Sequence, residues 1–215
     1  MVVKMRERKR MYRYPISGIL TLLVIVTMAV TAYSGQFEDA VAAYNRKDYA
    51  TAFRLMKPLA ENGNGNAQTN LGFMYFSGQG VGKNYTEAVK WYRRAAEQGH
   101  ATAQFNLGLM YANGQGVPQD YNESLNWYRR AAEQGYATAQ FNLGVMYKAG
   151  KGVPKDYVMA HLWFNLAAWR FPESKSKDRE DAETLRDLVA SKMTPAQIAE
   201  AQRLAREWRP KKEVK

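Results

Sequence analysis

The sequence predicts an all-α protein, a right-handed α-solenoid of stacked antiparallel helix pairs. Three observations carry that prediction. A block of 36 residues recurs three times in fixed register. Within each block the apolar residues fall three and four apart, the period of a helix lying on a core. Glycines and capping residues punctuate each block at the same places. The copies are plain to the eye: "AQTNLGFMY" from residue 67 returns as "AQFNLGLMY" from 103 and "AQFNLGVMY" from 139. "WYRRAAEQG" from 91 is unchanged from 127 and becomes "WFNLAAWRF" from 163, and about two thirds of positions agree between the first two copies. A period of this size marks an array whose units bury their apolar faces only by stacking on one another.

The first element is residues 1–33. Lys4, Arg6, Arg8, Lys9, Arg10 and Arg13 stand against Glu7 alone, and residues 16–33, "ISGILTLLVIVTMAVTAY", carry no charge. A core helix would show a polar face. The segment predicts a secretory signal peptide cleaved after Ala32, or an uncleaved membrane anchor, since about 18 apolar residues approach a bilayer span. In either case the basic end stays in the cytoplasm and everything after residue 33 is exported, to the periplasm or the outer side of the inner membrane.

Residues 34–66 form an atypical first repeat. Tyr49 aligns with Tyr85, Ala52 with Ala88 and Gly63 with Gly99, but the later loop is missing, so the two helices join by a tight turn with Asp48 as cap. The repeats proper are 67–102, 103–138 and 139–170. In the first of them helix A covers about 67–77 and helix B about 85–98. Helix A puts Ala67, Leu71 and Met74/Tyr75 on one face; helix B puts Tyr85, Ala88, Trp91/Tyr92 and Ala95 on one face. Gly72, Gly108 and Gly144 return in mid-helix, where glycine costs about 1 kcal/mol against alanine, which argues for close helix approach. Gly78, Gly114 and Gly150 end helix A in the left-handed region, Gly80, Gly116 and Gly152 give the loop a second permissive point, and Gly99 and Gly135 end helix B. Asn84, Asp120 and Asp156 are N-caps, and Glu87 and Glu123 complete a capping box in two copies.

"FPESKSK", residues 171–177, breaks the pattern as a linker. Residues 178–209 supply two capping helices, the second opened by Thr194, Pro195 and Gln197 as cap, first-turn proline and capping-box partner. A basic tail, 210–215, closes the chain.

The loop "SGQGVGKN", residues 77–84, has the glycines and lysine of a phosphate cradle, but the repeat excludes that reading. Ser77 stands where the first glycine is needed, Asn84 where serine or threonine is needed, and a helix rather than a strand precedes it. Pro118 and Pro154 replace Gly82 in the sister copies, and Gln119 replaces Lys83 in one. There is no cysteine, which removes disulfides and thiolate chemistry, and the two histidines, His100 and His161, lie too far apart to start a zinc site. The net charge is +11, but much of the excess sits at the two ends rather than on one folded face, so nucleic acid is not an expected partner. No catalytic residue, cofactor or metal is expected.

At this point the residues carry a resemblance. Ala103, Leu107, Gly108, Tyr111, Gly114, Gly116, Val117, Asp120, Trp127, Ala131, Ala132 and Gly135 match the pattern of the Sel-1-like repeat family, a relative of the tetratricopeptide repeat. The match covers residues 67 to about 170, near half the chain. The resemblance implies that helix A lines a concave face with a solvent-facing stripe: Asn70, Phe73 and Ser77, then Asn106, Leu109 and Asn113, then Asn142, Val145 and Ala149. Asn70, Phe73, Asn106, Leu109, Asn142 and Val145 are the candidate protein-binding residues. The recurring asparagine has two readings, a hydrogen bond to an extended peptide in the groove or a bond between repeats that fixes their stacking. The implied function is a non-enzymatic scaffold or adaptor of the cell envelope with a protein or peptide partner, held to the membrane if the N-terminal segment is uncleaved. The alternative is an exported binder of small ligands or cell-wall fragments with hydrolytic activity, because some exported relatives carry a β-lactamase label. Ser174-x-x-Lys177 fits that label by spacing, but it sits in a polar linker without companion motifs. The labelled relatives also pair cysteines, which this chain lacks.

Overall fold

The computed structural model describes residues 35–211. The hydrophobic segment 1–33, and with it the expectation of export, lies outside the described residues. Helix α1 covers residues 35–45 and a tight turn leads to α2, Tyr49–Glu61. Three pairs follow: α3 (Gly65–Ser77) with α4 (Tyr85–Glu97), α5 (Ala101–Asn113) with α6 (Tyr121–Glu133), and α7 (Ala137–Ala149) with α8 (Tyr157–Arg170). A short 3-10 turn, Glu173–Lys175, leads into α9, Ser176–Ala190, and α10, Pro195–Glu207. There is no strand among the described residues. Each helix packs on the one before it, except that α10 returns to α8. The all-α solenoid of stacked helix pairs is thus the observed architecture.

The core forms where the helical spacing puts it. Leu71, Leu107 and Leu143 are fully buried, as are Ala67, Ala103 and Ala139 one turn earlier. Burying each leucine contributes about 1.5–3 kcal/mol. The mid-helix glycines do hold a close approach. A Cβ on Gly108 would lie 2.8 Å from the Tyr128 ring, and one on Gly144 would lie 2.6 Å from the Phe164 ring. The buried aromatic of helix B therefore packs directly against the bare backbone of helix A.

The loops follow their sequence with one correction. Gly78, Gly114 and Gly150 take φ of 80°, 66° and 70° at the ends of the A helices. Asp48, Asn84, Asp120 and Asp156 accept N–H bonds from the first turns of the B helices. The capping box expected of Glu87 and Glu123 forms only in its forward half: Asn84 and Asp120 accept from the Glu87 and Glu123 N–H groups. The Glu87 carboxylate turns along the helix to Lys90 instead, at 3.3 Å, because an opposite charge three residues on competes for it. Thr194 and Gln197 make the complete reciprocal box. Replacing Asp120 by alanine is expected to cost about 0.5–2 kcal/mol, since two first-turn N–H groups lose their acceptor. Lys83→Ala should leave thermal unfolding unchanged, because Lys83 is exposed in the loop. A larger loss for Lys83→Ala than for Asp120→Ala in urea titrations would contradict this account of the loop.

The array ends by changing its last B helix. Lys90 and Asn126 are exposed on α4 and α6, but the third copy places Leu162 there, and it is buried. Arg94 and Arg130 likewise give way to Leu166, also buried. The α8 helix is apolar on almost every side, the mark of a helix covered all round, and α9 and α10 are the cover.

A candidate protein-binding face on the A helices

Helices α3 and α5 contain no charged residue, and α7 contains only Lys148. Their partly open stripe is therefore neutral. It offers amides and apolar side chains, which suit the backbone and apolar side chains of a peptide better than they suit an ion. Asn70, Asn106 and Asn142 are half-buried along it, with Phe73, Leu109 and Val145 one turn on; Phe73 is 41% exposed.

The structure gathers these six residues unevenly. Asn70 and Phe73 join Val41, Tyr44 and Asn45 of α1 and Met56 of α2 around a hollow of about 290 Å³. The α1 residues were not legible as site residues, because the first repeat lacks the loop that sets the register. Leu109 and Val145 sit further along and pack against the large core cluster that also takes in Leu185 of α9. Asn142 lies against the Tyr128 hydroxyl of the preceding unit. Burial pushes that hydroxyl up to about 12, and Asn142 offsets part of the rise by hydrogen bonding.

The bonds that staple repeat to repeat come mainly from a different residue type. Gln68, Gln104 and Gln140 are buried on the A helices and donate Nε2–H to the carbonyls of Ala60, Ala96 and Ala132 in the preceding B helices, at 3.0, 3.0 and 3.1 Å. Gln98 and Gln134, at the B-helix ends, donate in turn to Gln68 and Gln104 at 2.7 and 2.8 Å, and Gln134 also reaches the Gly99 carbonyl. This ladder escaped the sequence reading although its signal was present: glutamine returns every 36 residues in the same motifs as the asparagine.

Ser174 lies in the 3-10 turn before α9 and Lys177 in the first turn of α9, both exposed. Lys177 pairs with Asp181 at 2.9 Å and with Glu180 at 3.5 Å. Those partners hold its ammonium pKa above the ordinary value, the direction opposite to that of a catalytic base. Among the described residues no group of three or more histidines or carboxylates could hold a metal ion.

Comparison with known proteins agrees with this geometry. The family model described as Sel1 repeat matches residues 46–64, 65–100, 101–136 and 137–168, in register with the helix pairs. A crystal structure of a Sel1 repeat protein from Oxalobacter formigenes superposes with a TM-score of 0.61 at 32% identity, over 78% of this chain and 73% of that one. The structure of c5321, a protective antigen of uropathogenic Escherichia coli strains with an SLR fold, gives 0.53 at 30% identity, over 74% of this chain but only 40% of that one. No curated protein matches the chain. Proteins of Sel1 repeats generally mediate protein–protein interaction, on a scaffold that is generally not catalytic. By the repeats it matches and the structures it superposes on, the chain belongs to the Sel1 repeat family.

Proposed function

We propose that the protein is a non-enzymatic adaptor of the cell envelope that binds an extended segment of a protein partner along the A-helix stripe. The observation that carries this reading is the hollow at Asn70 and Phe73, which continues into an uncharged row of asparagines and apolar side chains. The hollow takes an apolar side chain of the partner, and the amides of Asn70 and Asn106 bond its backbone. Export rests on residues 1–33 alone. Among the described residues no helix is long and apolar enough to cross a membrane, so any anchoring falls to that segment.

The test places a photo-crosslinking amino acid at positions 73 and 109 of the stripe and, as controls, at the exposed B-helix positions 90 and 126. One partner captured from 73 and 109 but not from 90 and 126 is the expected result; equal capture from all four would defeat the reading. Asn106→Ala should weaken that capture while shifting stability by no more than about 0.5 kcal/mol, as for other surface positions. A large loss of melting temperature would reassign Asn106 to the stacking of the repeats. Fractionation and N-terminal sequencing of the mature protein test export. A cytoplasmic product still beginning at Met1 would refute it.

A further inference from the structure

A second and larger hollow, of about 640 Å³, opens where α10 and the chain after it cross the end of α8, away from the A-helix stripe. Trp169, Arg170, Arg206, Trp208 and Arg209 line it, with Asn165 and Gln202 at its edge. Trp169 is 78% exposed, the most open large apolar side chain among the described residues. The Arg170 guanidinium lies between two indoles, 4.9 Å from the Trp169 ring and 4.2 Å from the Trp208 ring.

Among the described residues no carboxylate lines this hollow. Burial pulls the Arg170 pKa down, and no carboxylate counters that shift. Glu207, beside Arg206 in the sequence, pairs with Arg203 at 2.6 Å, and Glu133 pairs with Lys211 at 2.7 Å. Arg170 also stands where the first two copies have Gln98 and Gln134. Its Nη1 and the Gln140 Oε1, the atoms at the ladder position, are both enclosed without a partner. A bond between them would satisfy one N–H and leave the positive charge in place, because an amide is neutral.

We propose that this hollow is a second binding site, for an acidic segment of a partner protein. A carboxylate meets the exposed Arg206 and Arg209, whose planar guanidinium groups suit bonding to it, with the Arg170 charge beside them, and a neighbouring apolar side chain covers Trp169. Tryptophan beside arginine in one pocket is the composition that dominates binding energy at interfaces, and Asn165 and Gln202 offer partners to a peptide backbone. A phosphate-coated surface would call for cations spread along a face; here they converge on one hollow beside two indoles. The site stands whether or not the A-helix stripe binds anything.

The test uses the full-length chain in nonionic detergent. It is titrated at low salt into a fluorescein-labelled hexapeptide of alternating leucine and aspartate, and into the same peptide with asparagine for aspartate, read by anisotropy. The aspartate peptide is expected to bind at least tenfold more tightly. Trp169→Ala, and separately the pair Arg206→Gln and Arg209→Gln, should each weaken it at least fivefold with an unchanged melting temperature, since Trp169, Arg206 and Arg209 are exposed. Arg170→Lys, which keeps the charge and loses the fork, should weaken it too. Equal affinity for the two peptides, or indifference to both surface variants, would overturn the proposal. So would a gain of affinity in Glu213→Gln, which would make the chain's own tail the occupant. Displacement by phosphatidylglycerol but not phosphatidylcholine would likewise overturn it, by assigning the hollow to a lipid headgroup.

Discussion

Gly116→Ala is expected to be among the most damaging single-methyl changes in the array, at about 2–5 kcal/mol. Two penalties combine. Gly116 has φ of +73°, where a side chain costs about 1–2 kcal/mol. Its Cβ would also lie 2.4 Å from the Tyr85 carbonyl oxygen and 2.9 Å from the Thr86 nitrogen. Those are backbone atoms at the start of the preceding B helix and cannot rotate away, so overpacking adds about 1–3 kcal/mol. Gly80 and Gly152 meet the same obstruction at Tyr49 and Tyr121. At about 2–4 °C per kcal/mol for a chain of this size, the melting temperature should fall by roughly 5–20 °C. Gly82 is the control within the same loop family. It has no heavy atom within 4 Å of a built Cβ and no positive φ, and its sister positions hold Pro118 and Pro154. Gly82→Pro should be neutral or stabilise by about 0.4–1 kcal/mol. Similar losses for Gly116→Ala and Gly82→Pro would mean that the loop does not pack against the neighbouring unit as described.

Gln104→Leu should cost about 2–4 kcal/mol although leucine is apolar and of similar size. Gln104 is 4% exposed, gives a bond to the Ala96 carbonyl and takes one from Gln134. Leucine strands the buried Ala96 carbonyl, at about 1–3 kcal/mol, and takes one acceptor from the half-buried Gln134 amide, which keeps the Gly99 carbonyl. Gln140 occupies the same place one unit later but makes only the bond to Ala132, its Oε1 being unpaired. Gln140→Leu should therefore cost less, roughly half as much, since it strands only the Ala132 carbonyl and breaks no second hydrogen bond. Urea unfolding of the two variants side by side measures the difference. Equal losses would mean that the rungs contribute by shape rather than by hydrogen bonding.

Most of the fold was legible because a repeat states each local rule several times. The caps at Asn84, Asp120 and Asp156 and the left-handed glycines at 78, 114 and 150 each recur at one spacing, so coincidence is excluded without any structure. What went astray was competition between neighbours. Glu87 had a cap and a lysine within reach, and the spacing alone does not rank them. Helix α3 starts at Gly65, two residues before the repeated motif, as α5 and α7 do at Ala101 and Ala137, and of the three only α3 has a side-chain cap, Asn64. The two hollows were harder to see. One needs Val41, Tyr44 and Asn45 from the unit whose pattern departs most from the others, and the second joins Trp169 to Trp208 across the whole capping segment. Neither juxtaposition has a periodic signature.

By itself the sequence determined the class of fold, the helix order, the faces that go inside and the family. All of these follow from interactions within one unit or between identical neighbours, and a fixed period of 36 residues records them. Only the tertiary structure decided that the recurring glutamine staples the stack at every junction. Gln104 points between units and is buried, whereas Asn106, two residues on, is half-buried, because a helix turns about 100° per residue and only the packed partner helix fixes which side is inside. It alone also decided that α10 folds back on α8 and gathers Arg170, Arg206 and Arg209 around one hollow that no carboxylate lines among the described residues. That arrangement depends on where a non-repeating segment docks, and docking is set by the summed burial of scattered side chains, which no local spacing records.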